Sequence, residues 1–362
     1  MSGFAKTAVV AVLLCLALPA PVSGQNCGCV ARHPVEIGVN VHNPPEENYT
    51  LAAAANMRWV RSAIRWEEVE PSQGNWTWDF VDVKVREANE RGLKLLMILH
   101  CPPPWSNGYR KNNVPSPNRA LWAEYVRQVS ARYNGTLDPM LKVHAYEIWN
   151  EPDIPDGGDG VGWNQHTATA PTYADYVYEA GVQIRANDPS AIIVAGSYSS
   201  IDSHRLRMSD IAFGIQHSVY PGGRLENYID VLSFHANASG SEYSDNVTDR
   251  AKFRISEHAS QNPATACKPK WITEFGSYWT SDVTEWSQME RLRRMTEMFA
   301  GTHYSSNCTG WTRGTHNVQL AFIYFNKDYD ATPIDGIHRG DGSPKPAVTH
   351  WLRLLPYPAN DW

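Results

Sequence analysis

Eight short runs in which β-branched, aromatic and aliphatic residues predominate recur along the chain: VEIGVNVH from Val35, MRWVRSAI from Met57, LKLLMILH from Leu93, KVHAYEIW from Lys142, AIIVAGSY from Ala191, YIDVLSFH from Tyr228, PKWITEF from Pro269 and QLAFIYF from Gln319. Each has the length and composition of a strand. Between them lie stretches long enough for helices, with candidates over 78–91, 118–134, 171–187 and 284–304, the first opening after Thr77 in a capping position. Strand and helix alternating eight times predict a parallel sheet, either closed into a (β/α)8 TIM barrel or open and doubly wound.

Two features favour the α/β barrel. The length suits one, and polar residues collect at the C-terminal end of the runs, where barrels build their sites: His42, His100, Glu151, Ser197, His235 and Glu274. A nucleotide-binding doubly wound sheet would carry G-x-G-x-x-G after an early strand, and the sequence has none there.

Composition narrows the setting. Lys6 precedes an apolar run, Ala8 to Leu18, followed by Pro19, Pro21 and VSG, the pattern of a signal peptide over 1–24 that is cleaved after Gly24. The run is too short to span a bilayer. The expected product is secreted and extracellular, a single catalytic domain over 25–362 with no membrane attachment. A net charge of −6 without Lys/Arg clusters argues against nucleic acid as a partner. Acceptor sequons at Asn48, Asn75, Asn134, Asn237, Asn246 and Asn307 make N-glycans expected at some of these sites. Removing Cys15 with the leader leaves Cys27, Cys29, Cys101, Cys267 and Cys308, an odd number, with Cys267 and Cys308 a candidate bridge. C-x-C at 27–29 lacks zinc spacing, DIPDGGDG lacks the closing Glu of a calcium loop, and VNVH has no H-x-H pair, so neither metal nor cofactor is expected.

The candidate chemistry lies after the fourth and seventh runs. The fourth ends Trp149-Asn150-Glu151-Pro152 and the seventh Glu274-Phe275-Gly276, with the glutamates 274 − 151 = 123 residues apart. In a barrel these strands face each other across the mouth, so both carboxylates enter one cleft. Paired carboxylates flanking a bond are the equipment of glycoside hydrolysis. The plainer alternatives are a helix-start carboxylate for Glu151 and a buried ion-paired one for Glu274.

With GVNVH, WVRSAIRWEEVEPSQGNWTWD, LLMILHCPPPW, EIWNEPD, DVLSFH, WITEFG and DGSPKPA in order, the chain resembles the retaining glycoside hydrolases of clan A, family 39 most and family 5 next. The resemblance implies Glu151 as general acid/base, Glu274 as nucleophile, Asn150 as the clamp on the sugar 2-hydroxyl, Arg61 (with Arg65 a rival) as the cation beside the nucleophile, and His235 as the cleft histidine. His100 is a further candidate at the cleft wall, and Trp149 is expected to brace the glutamate from the barrel side. Trp105, Trp163, Tyr198, Tyr278 and Trp279 are candidate sugar platforms. Relatives carry Tyr two residues after the cleft histidine where this chain has Asn237, so either another tyrosine, such as Tyr278 or Tyr324, serves the nucleophile or activity is reduced. The implied activity is retaining O-glycosyl hydrolysis of a β-linked polysaccharide or glycan. The alternative is a catalytically weak or silent, lectin-like barrel.

Overall fold

The computed structural model describes residues 35–41, 45–108, 115–152, 173–198, 228–236, 268–276, 284–299, 318–328 and 336–355. Eight strands close into a barrel in chain order: β1 (Glu36–Asn40), β2 (Trp59–Arg65), β3 (Lys94–His100), β4 (Ala145–Ile148), β5 (Ile192–Tyr198), β6 (Val231–Ala236), β7 (Lys270–Phe275) and β8 (Val318–Ile323). Every neighbouring pair is parallel, including the closing β1–β8 pair. All eight runs are strands, and the expected (β/α)8 TIM barrel is the observed fold.

The α-helices among the described residues are α1 (Pro45–Ala54), α2 (Trp66–Val69), α3 (Asp79–Glu90), α4 (Pro104–Asn107), α5 (Arg119–Arg132), α6 (Tyr173–Asn187) and α7 (Glu285–Phe299). On α5 the buried residues Trp122, Tyr125, Val126 and Val129 recur at helical spacing, which is why this segment coils and which face it lays on the barrel. Asn118 caps it by accepting from the Ala120 N–H. Thr77 does not cap α3 as its position suggested. Its hydroxyl donates to the Glu68 carbonyl at 2.8 Å, and Trp78 takes the capping position without a side-chain bond.

Strand alternation sorts the core into two compartments. One set of positions packs outward beneath the helices, among them Val60, Ile64, Leu95, Met97, Leu99, Tyr146, Ile148 and Ile193. The other fills the barrel with Trp59, Leu96, Ala145, Val194, Val231, Trp271, Leu320 and Phe322. Gly38 makes room for that plug, since a Cβ there would lie 2.7 Å from the Phe322 ring and 2.9 Å from the Trp59 carbonyl. One step further along the strands the inward positions turn polar: Asn40, Arg61, Glu147, Ser233 and His235, all buried. An apolar floor therefore carries a polar layer at the C-terminal mouth.

The leader, His42, Asn237, Asn246, Asn307, Trp163, Tyr278, Trp279, Cys27, Cys29, Cys267 and Cys308 lie outside the described residues, and Tyr198 is described in its backbone only. Cys101 is a free, buried thiol.

Candidate active site

Arg61 organises the mouth. Its guanidinium, 3% exposed, donates through Nε to Glu147 Oε2 at 2.5 Å, through Nη1 to Asn40 Oδ1 at 2.8 Å and Glu274 Oε1 at 2.7 Å, and through Nη2 to Asn150 Oδ1 at 2.6 Å. One side chain on β2 thus ties together β1, β7 and the end of β4. Burial works against its charge, but the Glu147 and Glu274 carboxylates outweigh that effect and raise its pKa above the ordinary arginine value. Asn40 is fixed in turn, because its amide donates to the Thr273 carbonyl at 3.1 Å and to that of Ile323 at 3.2 Å. Arg65, the rival arginine, pairs with Glu67 at the surface.

The turn after β4 aims the other two groups. Trp149 has φ 68° and Glu151 φ 49°, left-handed values that cost a non-glycine residue about 1–3 kcal/mol each. Tertiary contacts hold them. The Trp149 N–H bonds to the Leu99 carbonyl at 3.0 Å, and Tyr173 donates to the Ile148 carbonyl at 2.7 Å. The Trp149 indole, 4% exposed, packs edge-on against Trp122 and Tyr176 at centroid distances of 6.5 and 5.8 Å. Trp149 therefore anchors the turn on the helix side, not on the barrel side as expected. The left-handed step sends the indole outward and turns Asn150 and Glu151 back over the mouth.

Glu274 and His235 stand level in the β6–β7 register, beside an irregularity in the pairing. The His235 ring is fully enclosed, and its Nδ1 lies 3.0 Å from Glu151 Oε1 and 3.4 Å from Glu274 Oε2. One oxygen of each carboxylate and an imidazole nitrogen lie within 4.8 Å of one another. Glu274 is nearly buried, whereas the Glu151 side chain is 27% exposed and faces the opening. Nδ1 is thus within reach of both carboxyl groups. Three such donors could in principle surround a metal ion. The Arg61 guanidinium already places a positive charge on Glu274, so the set fits a hydrogen-bonded carboxylate pair better.

Of the remaining candidates, His100 ends β3 with Nδ1 3.3 Å from the Cys101 sulfur. Burial first, then the charges of Arg65, Arg61 and Lys84, push its pKa down to about 3, so it is a neutral wall residue. Trp105 is half-buried, donates its indole N–H to the Glu70 carbonyl at 3.0 Å and packs edge-on against Trp66 at 5.9 Å. These two contacts anchor the ring while part of its surface stays exposed. Tyr324 follows β8, its N–H on the Phe275 carbonyl, next to the nucleophile candidate in the sheet.

Sequence reasoning passed over Glu147 and Asn40. Both had a signal: each is a polar residue inside an apolar strand run, at a position that alternation turns inward, where an ionic or amide group needs a partner.

A closed parallel barrel thus brings two carboxylates together at its C-terminal mouth, the arrangement that glycoside hydrolysis requires. Residues 32–317 match the model of the cellulase family, glycosyl hydrolase family 5, and the chain belongs to that family. Within clan A, the family shown is thus the one the motifs ranked second, behind family 39. The chain is 23% identical over 285 residues to a protein named probable glucan 1,3-beta-glucosidase A from Aspergillus niger, covering 75% of this chain and 61% of that relative. It therefore spans about three-fifths of the length of the curated relative it matches. Among solved structures it is similar to an exo-beta-1,4-mannosidase from Opitutaceae bacterium strain TAV5, with TM-score 0.64, 17% identity and coverage of 91% of this chain and 61% of the other. It is also similar to a family 39 glycoside hydrolase from Bacteroides cellulosilyticus WH2, with TM-score 0.60, 16% identity and coverage of 88% and 62%. At these identities the likeness concerns the fold.

Proposed function

We propose that this glycoside hydrolase is a secreted enzyme that cleaves β-linked polysaccharide or glycan with retention, by double displacement. The supporting observation is the approach of the Glu151 and Glu274 carboxyl oxygens to within 4.8 Å of each other. Retaining pairs stand about 5–5.5 Å apart, and inverting pairs about 6.5–9.5 Å to admit a water molecule.

Glu274, held by Arg61, attacks the anomeric carbon while Glu151, at the open side, protonates the departing oxygen. Esterification removes the Glu274 charge, and Glu151 then takes a proton from the water that releases the sugar. Arg61 occupies the Asn150 carbonyl oxygen, which leaves the amide N–H groups for the 2-hydroxyl of the substrate. That contact strengthens as the oxocarbenium ion develops. His235, on both carboxylates, keeps their oxygens oriented.

The names of the relatives, a glucan β-glucosidase and a β-mannosidase, support a β-linked hexose polymer as the substrate class. Residues 1–24 remain the proposed signal peptide and 25–362 the catalytic domain; among the described residues no helix is long and apolar enough to cross a membrane. Exposed Asn75 suits a glycan, whereas Asn48 is 3% exposed and the Asn134 amide is bonded to the Asn187 carbonyl.

The test is Glu274→Ala on an aryl β-glycoside. Turnover should vanish, and azide should restore cleavage with an α-configured glycosyl azide as product. Wild-type hydrolysis that releases the α-anomer, followed by NMR, would refute retention.

A further inference from the structure

We propose that Glu147 is a positioning residue for the reaction: it pins the Arg61 fork and takes up part of its positive charge, so that only a share reaches Glu274. The inference rests on the double-displacement reading and deepens it.

The geometry supports both halves. Glu147 is fully buried on β4, with Oε2 2.5 Å from Arg61 Nε and Oε1 3.3 Å from Ser233 Oγ. A guanidinium is a rigid plane, so fixing Nε also fixes the directions of Nη1 and Nη2. Those directions are the ones that reach Asn40 and Glu274 on one arm and Asn150 on the other. Rotating the plane would loosen the nucleophile and the proposed 2-hydroxyl clamp together.

The charge argument follows from one cation shared by two carboxylates. If Glu274 alone faced Arg61, the full field of the guanidinium would fall on it. Its anion would then be too well stabilised to attack readily, and it would ionise at lower pH. Among the described residues, the charged and titratable groups around this point include Arg61 on β2, His100 on β3, Glu147 on β4, Glu151 just after β4, His235 on β6, Glu274 on β7 and Tyr324 just after β8. Among them Glu147 contacts the cation through Nε, whereas Glu274 meets it through Nη1.

The test compares full-length wild type, E147Q and E147D. Glutamine keeps the shape and an acceptor for Nε but removes the charge; aspartate keeps the charge and withdraws it by one methylene. The Glu274 carboxyl is titrated by carbon-13 NMR in protein labelled at glutamate, its signal assigned by its loss in E274Q. In E147Q the midpoint should move down by about one pH unit and kcat should fall roughly 10-fold with little change in KM. In E147D the midpoint should stay within about 0.3 pH units of wild type while part of the lost kcat returns. A midpoint in E147Q that coincides with wild type, or one in E147D that moves as far as in E147Q, would overturn the proposal even where kcat falls. Should E147Q not fold, E147D decides alone, with a moved midpoint as the contrary result. The titration needs no substrate, so failure of the glycosidase reading would show separately, as wild-type protein that turns over no β-glycoside.

Discussion

Acidification should weaken the fold through His100, and the size of the effect follows from its surroundings. Burial beside Arg65, Arg61 and Lys84 holds the imidazole neutral down to about 3, against an ordinary value of 6.5. The unfolded chain therefore takes up a proton on falling below pH 6.5 that the folded chain refuses until near pH 3. The stability this residue contributes is fully present above pH 6.5 and is lost progressively as pH falls through that window. Each unit inside the window costs up to about 1.4 kcal/mol, and integrating from pH 7 to pH 5 gives a loss of about 2 kcal/mol. The figure is insensitive to the folded value, because any value below about 4 leaves both pH points above it. His144, lowered to about 4 by burial first and then by Lys142 and Lys94, adds a similar loss that is common to wild type and variant. The assay is urea unfolding of wild type and His100→Asn at pH 7 and pH 5. The wild type should lose about 2 kcal/mol more than the variant between the two conditions. Equal losses in the two proteins would show that His100 is free to protonate in the folded state, and would refute the reasoning.

Arg61→Met strands two buried carboxylates, and should abolish turnover and cost about 3–5 kcal/mol in denaturant unfolding. Gly38→Ala drives a methyl into the Phe322 ring beneath the polar layer; unfolding should show a loss of about 1–3 kcal/mol, with KM for an aryl β-glycoside near wild type. Trp149→Ala removes the outer anchor of the left-handed turn, and should cost about 3–5 kcal/mol while lowering kcat more than a change elsewhere in the helix layer of equal stability cost.

The barrel was legible because its signal is local and repeated. The strand runs are mostly apolar on the face that the helices cover, as a parallel strand beneath helices requires, and polar residues gather toward the same end each time. The glutamate pair was legible because W-N-E-P and E-F-G are compact motifs whose partnership follows once the strands are placed. What stayed hidden depends on contacts far apart in the chain. Glu147 meets Arg61 across 86 residues, and within AYEIW a single carboxylate reads as an ordinary strand position until a cation is found for it. The side on which Trp149 braces the turn is set by a φ of 68°, which no hydrophobic period encodes. The contact of Trp105 with Trp66 is likewise a tertiary fact that its place near a strand end does not announce.

The most direct test of the central claim is to trap the intermediate. Incubation with a 2-deoxy-2-fluoro β-glycoside that carries a good leaving group slows breakdown of the glycosyl-enzyme, and peptide mass spectrometry locates the sugar. The account predicts one equivalent of sugar esterified to Glu274, and none in Glu274→Ala. Attachment to Glu151 or to another residue, or rapid hydrolysis of natural substrate with inversion and no adduct, would contradict it.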